Sequence, residues 1–161
     1  MPAHPLFDLA LIDAAKVVAD IEDIRKANPQ RFEMEQLSRI CYVDVDAGNV
    51  AGILEVPENP FWARGHIPGR PLMPGVMFLE AGAQLCSWFV RRVYDPAEYG
   101  QRFFGFGGID AVKFRGAVFP GQSLLLLGKR VELRTRRAVF GVQGYVEGSQ
   151  VFEGQITGMW V

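Results

Sequence analysis

Histidine and cysteine are scarce in this chain, with two of each among 161 residues. Cys41 and Cys86 lie far apart in apolar surroundings and form no Cys-x-x-Cys pair, which argues against a disulfide framework or a thiolate zinc site and makes a reducing cytoplasm the default setting. With His4 and His66 as the only imidazoles, no metal constellation can be assembled, and no metal is expected. Also missing are a Gly-x-Ser-x-Gly elbow, a P-loop and a Gly-x-Gly-x-x-Gly opening a helix after a strand, so serine hydrolase, P-loop nucleotide and dinucleotide chemistry lose their usual signals. No uncharged stretch reaches the ~18 residues of a membrane span. The amino terminus carries Asp8 and no basic cluster before an apolar run, so neither a leader nor a span is expected. Internal repeats and low-complexity tracts are absent.

What is present is the composition of one soluble domain with a sizeable core: 49% hydrophobic and 22% charged residues, with phenylalanine abundant at 12 copies. The net charge of −1 hides a polarity. Residues 1–60 hold 5 basic and 11 acidic groups, whereas residues 61–161 hold 12 basic and 7 acidic ones. Either two solvated faces of opposite sign or an acidic partner for the carboxyl-terminal part accounts for this. Arg130, Arg134, Arg136 and Arg137 lie in and between strands without an aromatic platform motif, so nucleic acid is not expected as a partner.

Apolar residues at helical spacing from Asp8 to Ala27 predict one or two amphipathic helices, ended by Asn28-Pro29, and residues 1–28 are set apart as a helical extension of a domain over 29–161. Strands are predicted over Ile40–Val45 and Val50–Val56, joined by a turn containing Gly48 and Asn49. Residues 57–75, dense in proline and glycine, form a long shaped loop of the kind that usually serves function. A buried helix follows over about 74–93, with Pro74 suited to its first position. Four further strands are predicted over Phe103–Arg115, Ser123–Arg134, Ala138–Glu147 and Val151–Val161. The class is α+β: one apolar helix wrapped by an antiparallel sheet of about six strands.

Within that helix the polar exceptions Glu80, Gln84 and Ser87 fall at i, i+4 and i+7 and share one face. A carboxylate on a buried helix is costly unless paired or protonated, which favours a role for Glu80 as a general acid over a mere exposed stripe. His66 sits in the preceding loop, where Phe61, Trp62 and Ile67 are expected to desolvate it and Gly65 to leave room for close approach, as suits a general base. Free N–H groups at the helix start, Gly75 and Val76, can polarise a carbonyl. Base, acid and oxyanion donor thus fall within fifteen residues of sequence.

The stretch Asn59-Pro60-Phe61-Trp62-Ala63-Arg64-Gly65-His66-Ile67-Pro68-Gly69-Arg70-Pro71-Leu72-Met73-Pro74-Gly75-Val76, continuing through Leu79-Glu80-Ala81-Gly82-Ala83-Gln84, resembles the signature of bacterial 3-hydroxyacyl-(acyl carrier protein) dehydratases. Gly108-Ile109-Asp110-Ala111-Val112-Lys113-Phe114-Arg115 with Val118-Phe119-Pro120-Gly121 agrees, and Ile21-Glu22-Asp23-Ile24 leading to Pro29-Gln30-Arg31 does so more loosely. The resemblance spans about residues 21–161. It implies a hot-dog fold and a homodimer, often assembled as a trimer of dimers, with each site drawing its histidine from one subunit and its carboxylate from the other. By position, His66 removes the C2 proton, Glu80 of the partner protonates the departing C3 hydroxyl, the Gly75 amide holds the thioester carbonyl and Gln84 supports. The resemblance implies no cofactor, and an acyl carrier protein as partner. Glutamate at position 80 points to the general dehydratase branch.

The carrier protein of that family is strongly acidic, which gives the basic carboxyl-terminal part a reason and makes Arg64, Arg70 and Arg115 docking candidates. Three departures stand out: Gln30-Arg31-Phe32-Glu33 and Leu37-Ser38-Arg39 near the amino terminus, Ile67 in place of an aromatic pair, and Gly105 where the family carries a gating tyrosine. Two other readings stay open. One is a hot-dog thioesterase, against which the histidine fourteen residues before the carboxylate argues; the other is a non-catalytic acyl-binding paralogue.

Overall fold

A computed structural model describes residues 4–94, 97, 100 and 102–161 of the chain. Among the described residues, two α-helices, α1 (Ile21–Ala27) and α2 (Gly75–Val93), accompany six strands. The strands are β1 (Arg39–Asp44), β2 (Asn49–Glu55), β3 (Phe104–Phe114), β4 (Ser123–Leu133), β5 (Arg137–Val146) and β6 (Ser149–Trp160). They form one antiparallel sheet in the order β1-β2-β4-β5-β6-β3.

The predicted strands differ from these bounds by at most two residues at either end. Turn chemistry fixes the register: Glu147 (φ 49°) and Gly148 (φ 78°) both take positive φ between the paired residues Val146 and Ser149. That is the two-residue primed turn whose twist matches the strands it joins.

Helix α2 packs on β2, β3, β4, β5 and β6. Five strands at ~4.8 Å spacing span about 19 Å, roughly twice the width of a helix, so the sheet has to curl around α2 to reach it with all five. This is the hot-dog architecture that the resemblance implies. Phe78, Leu85 and Phe89 of α2 meet Phe140, Phe152 and Leu126 in the main core, with Phe78 stacked on Phe152 at a centroid distance of 5.3 Å. No helix among the described residues is long and apolar enough to cross a membrane.

The amino-terminal segment departs from the expected helices. Only Ile21–Ala27 is α-helical, capped by Asp20 accepting from the Asp23 N–H, and Leu9–Leu11 form a single 3-10 turn. Asp13 caps a local turn at Ala15, and residues 18–19 run alongside β1, with the Val18 N–H donating to the Ile40 carbonyl and the Ile40 N–H to that of Ala19. The apolar side chains are used to cover the sheet instead: Phe7, with Leu6, Leu9 and Ile12, packs on Cys41, Ala51, Ile53, Leu127 and Tyr145, a second core on the face of the sheet away from α2. A segment that pairs with an edge and covers a face needs extended backbone, which outweighs helical periodicity here.

Both cysteines are buried, Cys41 under that segment and Cys86 in the main core. Burial pushes the Cys41 thiol up to about 11 and the Cys86 thiol further in the same direction. Since the thiolate is the reactive species, neither is expected to react with a disulfide reagent at pH 8 while the chain is folded, and both should react in denaturant. Rapid labelling of either in the native protein, counted by released chromophore, contradicts this packing.

Candidate active site

Helix α2 begins immediately after Pro74, which stands at the N-cap (φ −57°, ψ 134°) and not at the first helical position. Its fixed φ suits either place, but the extended ψ lets the loop enter at an angle. Gly75, the first helical residue, lies under the ring of Phe114, and a Cβ there would come within 2.9 Å of it. Glycine at 75 therefore permits β3 to close onto the helix start. Gly75 and Val76 lie in the first turn, where N–H groups have no intrahelical acceptor.

The polar stripe is where periodicity placed it. Glu80, Gln84 and Ser87 line one side of a cleft with about 530 Å³ of empty space. The opposite walls are aromatic, from Phe103, Phe104 and Phe106 on and before β3 and Phe140 on β5. Glu80 is half-buried, and its Oε1 accepts a 2.7 Å hydrogen bond from Gln84 Nε2. Gln84 is itself fully engaged: Nε2 also donates to the Met34 carbonyl at 2.6 Å, and Oε1 accepts from the Gln36 N–H at 2.9 Å. The Gln36 N–H demands an oxygen, so it fixes which end of the amide faces Glu80. Glu80 Oε1 is thereby held as an acceptor.

Residues 34–36 are held in turn by an ion pair. Arg25 on α1 bonds Glu35 through Nε at 2.9 Å and a terminal nitrogen at 3.0 Å, while Glu35 Oε1 accepts from the Phe32 N–H. Hydrogen bonding from Arg25 holds the Glu35 carboxyl below its ordinary value. Phe32 takes φ 57° and is exposed, a strained turn that this pair stabilises.

His66 does not join Glu80 within the chain. Its loop is pinned at both ends by buried side chains, Trp62 and Met73, and by the Met73 N–H donating to the Val118 carbonyl. Between those anchors the His66 N–H bonds the Trp62 carbonyl at 2.9 Å, Gly69 (φ 79°) turns the chain, and residues 64–71 are exposed. His66 is among them and lines no part of the Glu80 cleft. The expected desolvation is thus not supplied by the chain's own Phe61 and Ile67, which are 54% and 40% exposed, and a Cβ at Gly65 meets nothing. Gly75 borders a separate apolar hollow with Val76, Phe78 and Phe114. One chain therefore brings Glu80 and Gln84 together but leaves His66 and the helix start on other surfaces.

Of the three arginines, Arg64 and Arg70 stand exposed beside His66, outside any ion pair among the described residues. Arg115 is committed to Glu153 at 2.6 Å. Gly105 lines the cleft, so the departure from tyrosine falls in the wall of the site.

A FabA-like domain matches residues 28–155. The chain belongs to the FabA-like family. This FabA-like chain is 35% identical over 138 residues to the 3-hydroxyacyl-[acyl-carrier-protein] dehydratase FabZ of Streptococcus thermophilus, covering 86% of the chain and 94% of that protein. Its fold is similar to the dehydratase heterocomplex ApeI:P of Xenorhabdus doucetiae, with a TM-score of 0.72 at 14% identity over 86% of this chain and 90% of that one. A hypothetical thioesterase crystallised with coenzyme A from Streptococcus pneumoniae shares the fold too, with a TM-score of 0.60 at 13% identity over 88% and 96% of the two chains. At these identities the structural likenesses speak to fold alone.

Proposed function

We propose that this chain dehydrates 3-hydroxyacyl chains carried on acyl carrier protein to trans-2-enoyl chains, in fatty-acid or related acyl-chain biosynthesis in the cytoplasm, with sites shared between two copies. The observation that carries the reading is the Glu80 cleft: a positioned carboxyl lining an aromatic-walled slot in which no histidine stands among the described residues. The relationship to FabZ supplies the substrate class.

In the reaction, the imidazole of His66 takes the C2 proton and the C2–H electrons pass toward the thioester carbonyl, whose oxygen the Gly75 N–H holds. As these electrons return to form C2=C3, the C3–O bond breaks and Glu80 Oε2 of the partner gives its proton to the departing oxygen, releasing water. Solvent carries the proton from His66 back to Glu80. Gln84 keeps Oε1 occupied throughout, so the delivered proton resides on the oxygen facing the cleft.

The sheet's edges support the second copy. β1 is short and partly covered by residues 18–19, whereas β3 is an edge of eleven residues that exposes Phe106, Ile109 and Phe114. A long, apolar, unpaired edge is a template for pairing with another chain, and pairing there would bury the apolar surface beside the Glu80 cleft. Arg64 and Arg70, flanking His66, suit the docking of an acidic carrier protein; Arg115 remains a weaker candidate because Glu153 neutralises it.

Incubation with 3-hydroxybutyryl and crotonyl thioesters, following enoyl absorbance together with free thiol, tests the proposal. Interconversion of the two without thiol release is expected. Thiol release without a change in enoyl absorbance would establish the thioesterase reading, and silence in both channels across several chain lengths the non-catalytic one.

A further inference from the structure

Gln30 lines the same cleft as Glu80, and its Oε1 is buried without a hydrogen-bond partner. The backbone around it is pinned from several sides. Asn28 Nδ2 donates to the Gln84 carbonyl, and the Arg31 guanidinium donates to the carbonyls of Arg25, Asn28 and Gln30 itself. The backbone of Gln30 is therefore fixed beside the cleft by its neighbours, while its own amide oxygen serves no structural bond. Buried acceptors are paired in nearly all folded proteins, so an unpaired one facing a substrate cleft marks a place for a donor from outside the chain. Gln84, the other amide in the cleft, already has its oxygen bonded to the Gln36 N–H.

On the dehydratase reading, the acyl chain offers one hydrogen-bond donor, the C3 hydroxyl; the thioester and the enoyl product offer none near that carbon. We infer that Gln30 is a substrate-orienting residue whose side-chain amide accepts the C3 hydroxyl hydrogen and turns that oxygen's lone pairs toward the Glu80 carboxyl. The terminal amide rotates about a soft torsion, which lets it follow the oxygen as it leaves. Once water departs, the contact is lost, so Gln30 favours the hydroxyacyl chain over the enoyl chain in the same slot.

The test compares wild type with Gln30→Met and Gln30→Leu, using two inert probes on acyl carrier protein: 2,2-dimethyl-3-hydroxybutyryl and 2,2-dimethylbutyryl thioesters. Neither has a C2 proton, and they differ only in the hydroxyl. Wild type is expected to bind the hydroxylated probe about tenfold more tightly, and both variants to lose most of that preference, with a fall of about tenfold in kcat on the natural substrate class. Because an unpaired buried oxygen is removed, Tm should hold or rise. An unchanged probe ratio in the variants, or a fall in Tm with equal weakening for both probes, overturns the assignment. Wild type that dehydrates no thioester refutes the proposed function instead, so the two failures are distinguishable.

Discussion

Replacing Glu80 with glutamine is expected to lower kcat for dehydration by about 10² to 10⁴-fold while leaving Tm nearly unchanged. The substitution keeps the shape and an oxygen able to accept from Gln84 Nε2, so the bond to Gln84 survives. What is lost is the proton on the second oxygen. Glu80 is half-buried and in no ion pair among the described residues, so replacing its carboxyl with an amide strands no charged partner. Initial-rate kinetics with a melting curve check both halves; full activity in Glu80→Gln would remove the acid from the mechanism.

Gln84→Leu is expected to cost more in stability. It strands the Gln36 N–H in a buried setting and the Met34 carbonyl and one Glu80 oxygen in half-buried ones. With about 1 to 3 kcal/mol for each buried group left unsatisfied, a loss of about 3 kcal/mol is reasonable, which for a domain of this size lowers Tm by roughly 6 to 12 °C. Catalysis should fall as well, because Glu80 is no longer held. The informative comparison is the double variant: in a Glu80→Gln background, Gln84→Leu should lower kcat little further, while its cost in Tm persists. Additive losses in kcat would mean that Gln84 acts on the reaction by a route other than Glu80.

Helix α2 and its stripe were legible because an apolar run with polar residues at 80, 84 and 87 fits one geometry only. The strands were legible for the related reason that their turns carry residues such as Gly48 and Gly148 with positive φ. The amino-terminal segment misled, since apolar residues over Asp8–Ala27 bear the spacing of a helix, but Leu9 and Ile12, with Leu6 and Phe7 before them, are spent on covering the sheet, a use visible only once the sheet exists. The exposure of His66 was not readable from its apolar neighbours: Trp62 turns inward to anchor the loop, leaving the imidazole outside. Gln30 registered in the sequence only as a departure from the family pattern. Its place in the cleft depends on how the exit of α1 packs against α2, which no local spacing encodes.

The separation of His66 from the Glu80 cleft within one chain makes the shared site the central claim, and subunit mixing tests it most directly. His66→Ala and Glu80→Gln proteins, each inactive alone, are unfolded together, refolded and assayed, with mixed dimers verified by differential tags. Random pairing puts half the protein into mixed dimers, each holding one site with both native groups, so roughly a quarter of wild-type activity is expected. Verified mixed dimers with no activity above the parents would contradict a site built from His66 of one copy and Glu80 of the other.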